Sequence, residues 1–280
     1  MTAAGFIRIT RPVNAVVAGI AAVVAYLVAT GTLVPEVLLL LVIVTSITAA
    51  GNVINDYSDA DIDAVNRPDR PIPSGHVSRR AALWYAALLF LSGIVLSLFT
   101  TTLCIAFAVL NSLLLVFYAT RLKGMPLAGN IAVAYLTGSM FLFGGAFAGY
   151  AGFTHLLPLA VISFLATMAR ELLKDAEDVE GDSAGGASTL PIRIGVRKTA
   201  FCAFAFAVLS AAASILPFWW WGVPYLVMIG IVDLLLVAAA YRTLSCETPA
   251  CIRKSGASSL LKYGMFASLV VFTASALFLP

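Results

Sequence analysis

The sequence predicts an all-α, polytopic membrane protein: nine transmembrane helices in one bundle, N-terminus cytoplasmic and C-terminus outside. Three observations predict it. Of 280 residues, 61% are hydrophobic and only 11% are charged, against roughly 25% charged in a soluble domain. The apolar residues fall in long charge-free blocks. The 17 Lys and Arg are confined to alternate connecting segments. Such a composition excludes a disordered chain, a coiled coil and a nucleic-acid-binding module.

The blocks count the helices. One span takes about 20 apolar residues, so a tight pair takes about 40–45. From Pro12 to Asn55 the only charge is Glu36, and from Ala81 to Thr120 there is none. From Gly124 to Ala169 there is none, and from Thr199 to Tyr241 there is only Asp233. Each block has a breaker or small polar run near its middle: Gly31 and Pro35, Thr100–Thr102, Gly149 to Gly152 with Pro158, and Pro217 with Gly222 and Pro224. Four hairpins and a last helix from Tyr263 to Pro280 make nine spans, expected to form a single domain over residues 1–280. Every Lys and Arg lies in segments 1–11, 56–80, 121–123, 170–198 or 242–262. The positive-inside rule makes those segments cytoplasmic. The first span is long and precedes no convincing cleavage site, so it reads as a retained helix. Cys246 and Cys251 fall in one of these segments, where thiols stay reduced. No His is near them, so they read, with Cys104 and Cys202, as inert thiols rather than as a zinc site.

The acids concentrate in two clusters directly after spans two and six. The first is Asn52-Val-Ile-Asn55-Asp56-Tyr57-Ser58-Asp59-Ala60-Asp61-Ile62-Asp63. The second is Glu171-Leu-Leu-Lys174-Asp175-Ala-Glu177-Asp178-Val-Glu180-Gly181-Asp182. At about 100° per residue, Asn52, Asn55, Asp56, Asp59 and Asp63 share one helix face and Asp61 points away. Glu171, Asp175, Asp178 and Asp182 likewise share a face, provided helix persists as far as Gly181. Carboxylates stacked one turn apart repel, and the repulsion grows near a low-dielectric membrane. A divalent cation offsets it, and oxygen ligands without His or Cys favour Mg2+. Mg2+ is usually held by one or two carboxylates plus phosphate oxygens. Two facing stripes are therefore expected to hold Mg2+ and, between them, a diphosphate. The metal ligands expected are Asn55, Asp56, Asp59, Asp63, Asp175, Asp178 and Asp182, the six aspartates being the catalytic set. A solvated acidic helix end accounts for one such cluster readily and for two phased ones poorly.

Basic residues supply the counter-charge. Arg67 and Arg70 lie in the proline-stiffened loop Arg67-Pro-Asp-Arg70-Pro-Ile-Pro-Ser-Gly75. Arg121 and Lys123 end span four, and Lys174 sits inside the second cluster. Arg grips oxyanions bidentately and Lys as a point charge. With Asn14, Asn52, Asn55, Tyr118 and Glu171, these residues form the expected substrate-binding set. The remaining cations, Arg79, Arg80, Arg242, Arg253, Lys254 and Lys262, read as topology signals. Asp233, mid-span, reads as a hydrogen-bonded packing residue remote from the site. His76, in the proline-rich loop, and His155, on the far side, are the two histidines, and neither is assigned as a general base.

At these residues the chain resembles the UbiA superfamily of intramembrane prenyltransferases. Its first motif stands as Asn55, Asp56, Asp59 and Asp63, its second as Asp175, Asp178 and Asp182, with the Arg67–Gly75 loop between. Within it, Gly129–Gly138, Phe141–Ala146 and Ala169–Asp182 with Thr189–Ile192 are similar to archaeal digeranylgeranylglyceryl phosphate synthases. The resemblance implies nine helices, Mg2+, and transfer of a geranylgeranyl group from geranylgeranyl diphosphate to geranylgeranylglyceryl phosphate, the second ether bond of archaeal membrane lipids. It also implies a prenyl groove, where Tyr57, Tyr118, Tyr135 and Phe141 offer π faces to an allylic cation. Arg67, Arg70, Arg193 and Arg197 are open as anchors for the acceptor's phosphate. An aromatic or haem acceptor carries the same motifs. A CDP-alcohol phosphotransferase would need a compact signature with internal Gly and Arg that is missing. A cation or phosphate transporter would place its charges nearer the midplane.

Overall fold

A computed structural model describes residues 1–279, the side chain of Asn66 excepted. Among the described residues all regular structure is helical. In chain order the helices are α1 (Ala3–Ile9), α2 (Pro12–Thr30), α3 (Val37–Ser58), α4 (Ala60–Asn66), α5 (Arg79–Ser97), α6 (Thr102–Phe117), α7 (Ala128–Phe147), α8 (Tyr150–His155), α9 (Leu157–Glu177), α10 (Val179–Ala184), α11 (Leu190–Ile194), α12 (Val196–Ala213), α13 (Phe218–Tyr241), α14 (Pro249–Ser255) and α15 (Ala257–Phe278), with a π-helical turn at Tyr118–Leu122 after α6.

Eight of these segments are long and apolar enough to cross a membrane: α2, α3, α5, α6 with its π turn, α7, α12, α13, and α14 with α15. The chain is thus a multi-pass membrane protein. Helix α9 is of similar length, but its last two turns carry Arg170, Glu171, Lys174, Asp175 and Glu177, which lowers its apolarity. It is nonetheless packed on both sides, against α7 and α12. Large apolar side chains such as Trp84, Leu88, Leu113, Trp219 and Leu234 face outward, as a lipid-facing surface requires.

The long helices form a ring. Helix α2 packs on α3 and α7, α7 on α9, α9 on α12, α12 on α13 and α13 on α15, and α15 returns to α2. Helices α5 and α6 pack outside, on α3. Small residues permit the closest approaches, as membrane bundles require. A Cβ on Gly144 of α7 would lie 2.2 Å from Ala22 O of α2, and one on Gly138 would lie 2.7 Å from Ala160 O of α9. The ring encloses a cavity of about 250 Å³ lined by α2, α7, α9, α12, α13 and α15.

Three sequence expectations need correction. The last helix starts at Ala257, not Tyr263, because Lys262 lies within it and a charge-based boundary cut it short. Helix α1 was missed altogether. It is seven residues long, capped by Thr2, whose hydroxyl accepts from Gly5 N at 3.1 Å, and too short for periodicity to show. Cys246 and Cys251 are not free thiols: they are joined in a disulfide, Cα to Cα 5.4 Å, because α14 starts at Pro249 and turns Cys251 back on the end of the preceding segment. Cys104 and Cys202 are free.

Candidate active site

The first acidic stripe survives a near-break in its helix. Asp59 ends α3 in helical geometry (φ −84°, ψ −1°). Its N–H donates to Asn55 O at 3.0 Å, and Asp63 N–H donates to Asp59 O at 2.8 Å. The i to i+4 ladder therefore continues into α4 and keeps Asn55, Asp56, Asp59 and Asp63 on one face. That face is inward: Asp56 and Asp63 are 4% and 6% exposed, whereas Asp61 has 81% of its side chain exposed and pairs with Arg79 at 3.0 Å. Asn52, one turn earlier, donates to Thr10 O at 2.9 Å. It therefore anchors the segment before α2.

The carboxylates of this stripe meet cations from three other segments. Arg11 donates to Asp56 Oδ1 at 2.6 Å. Arg70 donates to Asp56 Oδ1 at 2.8 Å and to Asp63 Oδ2 at 2.9 Å. Lys123 pairs with Asp59. Arg11 sits in the left-handed region (φ 50°, ψ 64°), just ahead of Pro12, where the right-handed helical region is disfavoured. Arg70 is held by its loop, which closes through Val77 N to Pro71 O at 2.9 Å and is tied to the N-terminus through Thr2 N to His76 O at 3.0 Å. Burial pushes the Asp63 carboxyl above its usual range despite Arg70, and Asp59 and Asp56 add to the rise.

The second stripe breaks at Asp178 (φ −102°, ψ 11°), three residues before the glycine expected to break it, and α10 resumes at Val179 with Asp182 inside it. Glu171 is buried and pairs with Arg170 and, at 3.5 Å, with Lys174. Asp175 Oδ2 accepts from Asn130 Nδ2 of α7 at 2.8 Å. Glu177 points elsewhere and accepts from Ser258 of α15 at 2.8 Å. Burial raises the Asp182 carboxyl, and Asp178 adds repulsion.

The two stripes converge. Lys123, paired with Asp59, is within electrostatic reach of Asp63 and Asp182. The Tyr118 hydroxyl is within electrostatic reach of Glu171, Asp175 and Asp59. Ser188 N donates to Gly124 O at 2.8 Å, so the segment after α10 is stitched to the turn after α6. The π turn is what presents Tyr118 and Lys123 together, with Lys123 N donating to Tyr118 O at 3.1 Å. Such turns recur at functional sites.

Other expected residues are placed elsewhere. Arg67 and Arg121 are exposed. Arg193 donates to Ser188 Oγ at 2.9 Å, and Arg197 pairs with Glu247 at 3.2 Å. Tyr57 lies under Arg79, 5.1 Å from ring centroid to guanidinium. Asn14 and Phe141 line the cavity, and so does Asp233. Asp233 accepts a hydrogen bond from Ser214, and the cavity that it lines extends to Arg170 and Glu171. Sequence reading missed Arg11 and Asn130 as partners of the acids. The signal for Asn130 was a lone amide opening an otherwise apolar helix.

The donor set fits a hard divalent cation. It consists of carboxylates and amides, with no His or Cys among them. The Asn55 Oδ1 atom is buried without a hydrogen-bond partner, an unspent oxygen on the inward face. Among the described residues no three acids, His or Cys stand together as a ready-made cage, because the acids are turned to Arg11, Arg70, Lys123 and Asn130.

Comparison with known proteins agrees with this geometry. The sequence model described as the UbiA prenyltransferase family matches residues 15–270. A digeranylgeranylglyceryl phosphate synthase of Methanoregula boonei is 62% identical over 275 residues, covering 98% of this chain and 99% of that one. A solved digeranylgeranylglyceryl phosphate synthase superposes with a TM-score of 0.82 at 35% identity, over 98% of each chain. A UbiA homologue from Archaeoglobus fulgidus bound to GPP and Mg2+ shares the fold, with a TM-score of 0.64 at 15% identity over 94% of this chain and 99% of that one.

Proposed function

This chain belongs to the UbiA prenyltransferase family, and we propose that it joins a geranylgeranyl group, taken from its diphosphate, to the hydroxyl of geranylgeranylglyceryl phosphate. The allylic C1–O bond of the donor breaks, a C1–O ether bond forms to the acceptor, and diphosphate and a proton leave. The observation that carries the reading is the convergence of two inward carboxylate stripes on Lys123 and Tyr118, beside an apolar cavity. The names of the relatives over nearly the whole length of this chain support the acceptor.

Asn55, Asp56, Asp59 and Asp63 on one side and Asp175, Asp178 and Asp182 on the other would hold Mg2+. Mg2+ supplies electrostatic stabilisation of the charge that grows on the leaving diphosphate. Lys123 and Arg70, paired with Asp59 and with Asp56 and Asp63, would contribute positive charge to the diphosphate at the same place. Lys174 neutralises Glu171, and Arg67 and Arg121, both exposed, lie in the segments that border the site. Tyr118 stands between the stripes with its ring available to an allylic cation. The cavity takes the prenyl chain, Phe141 and Asn14 among its walls. The short helices α4 and α10 and the proline loop limit water, which would otherwise capture the cation.

In this reading the chain is one domain of nine spans, α9 being the ninth, with the N-terminus and active site cytoplasmic and the C-terminus outside. The confinement of every Lys and Arg to one set of segments supports it, as does the meeting of those segments around the acids. Purified protein given a mixture of prenyl diphosphates, geranylgeranylglyceryl phosphate and an aromatic acid tests the acceptor by mass spectrometry. The expected product is the digeranylgeranyl ether, dependent on Mg2+. Prenylation of the aromatic acid alone would overturn the reading.

A further inference from the structure

The cavity beside the acidic stripes has a cationic, hydrogen-bonding rim that the metal-diphosphate site does not use. Arg170 of α9 and Lys262 of α15 both line it, with Asn14 and Thr167. Arg170 spends one guanidinium nitrogen on Glu171, and its Nε–H is buried without a partner. Thr167, one turn earlier on the same face of α9 and 2% exposed, also has a buried hydroxyl without a partner. Lys262 forms no ion pair among the described residues. Its ammonium is held 5.8 Å from the Phe266 ring, one turn along its own helix.

Two helices thus bring two cations and two unspent donors to the edge of one apolar chamber. Buried donors without partners are costly, and ionisable side chains that face a cavity at membrane depth mark ligand or ion sites by default. Two carboxylates line the cavity: Glu171, compensated by Arg170 and Lys174, and Asp233, which accepts from Ser214; against them stand Arg170, Lys174 and Lys262. Net positive charge remains for an anion. Of the four arginines expected from sequence to anchor the acceptor, three are otherwise engaged, Arg70 with Asp56 and Asp63, Arg193 with Ser188 and Arg197 with Glu247, and Arg67 is exposed on the proline loop. Lys262 was read from sequence as a topology signal only.

We propose that Arg170, Lys262 and Thr167 form the seat for the phosphate monoester of the prenylglyceryl phosphate acceptor, separate from the metal-bound diphosphate of the donor. The proposal rests on the reading of the function above. It adds the residues that choose a phosphorylated acceptor over an uncharged one.

The test uses the full chain in lipid nanodiscs. Binding of geranylgeranylglyceryl phosphate is compared with that of geranylgeranylglycerol, the same ether without phosphate. The wild type is expected to prefer the phosphate by about tenfold or more, about 1.4 kcal/mol. Lys262→Gln is expected to abolish that preference and raise the acceptor KM, with the donor KM within about twofold; Lys262→Arg restores the preference. Thr167→Val, which removes no charge, is expected to give a smaller loss of the same preference and serves if Lys262→Gln does not fold. A preference that survives Lys262→Gln, or a rise in the donor KM in place of the acceptor KM, overturns the proposal. Phosphate preference in the wild type without prenyl transfer to this acceptor would overturn the functional reading and leave the seat standing. Prenyl transfer without any phosphate preference would do the reverse.

Discussion

The side-chain amide of Asn130, in the first turn of α7, donates to Asp175 Oδ2 near the end of α9 at 2.8 Å. The bond fixes one carboxylate of the second stripe from a neighbouring helix. The other oxygen, Oδ1, is the one that would face the Mg2+ proposed above. A hydrogen bond to a charged group contributes about 1.5–3 kcal/mol, and each 1.36 kcal/mol is about tenfold in rate. Asn130→Ala is therefore expected to lower kcat/KM by about tenfold to a hundredfold and to raise the Mg2+ concentration for half activation. Unchanged Mg2+ dependence would show that Asp175 needs no such orientation. Steady-state kinetics across a Mg2+ titration checks it.

Helical phase separates Asp61 from Asp63 although they are two residues apart. Asp63 is buried and bonded to Arg70, while Asp61 is exposed and touches Arg79. Exposed ion pairs contribute little. Asp61→Asn is expected to keep activity within about twofold and stability within about 0.5 kcal/mol. Asp63→Asn is expected to remove most of the activity. Equal losses in the two variants would contradict an inward stripe.

Helices α2 and α7 touch through Gly144, where a Cβ would stand 2.2 Å from Ala22 O and 2.7 Å from the Ala25 Cβ. Backbone cannot yield as a flexible side chain does. Gly144→Ala is expected to cost about 1–3 kcal/mol or more, the range for overpacking, seen as a lower unfolding temperature in detergent. Gly230, whose Cβ would meet open space, provides the control, and Gly230→Ala is expected to change little.

Much of this was legible in the sequence, for physical reasons. Breakers at Gly31 and Pro35, at Thr100 and Thr101 and at Pro217 fall between helices, because a chain leaving a membrane must satisfy its own backbone with turns, whereas Gly222 and Pro224 lie within α13, which is kinked at Gly222. The phase of the acids was legible too, because α3 and α4 stay in register through Asp59. Charge misled at Lys262. Lys262 was taken to lie outside a span because it is charged, yet a lysine stem can lie along apolar surface while its head reaches an aqueous rim. That one cavity runs from Asp233 to Arg170 and Glu171 is a feature of the packed bundle that a linear count along the spans does not show. The partners Arg11 and Asn130 were not legible. They approach the acids only through the packing of α2 on α3 and α7 on α9, and local pattern holds no trace of either pairing. The π turn at Tyr118 likewise follows from tertiary packing, since no residue in Tyr118–Leu122 signals it.

The central claim is that both acidic helix ends grip one metal-diphosphate unit. It is tested most directly by calorimetric titration of a non-reactive thiolo analogue of geranylgeranyl diphosphate into the wild type, Asp59→Asn and Asp175→Asn, each with and without Mg2+. Helix content is monitored by circular dichroism. Mg2+ is expected to tighten analogue binding strongly in the wild type and to lose that effect in each variant separately, with helix content intact. Full Mg2+-dependent tightening in either Asp59→Asn or Asp175→Asn would contradict a shared site.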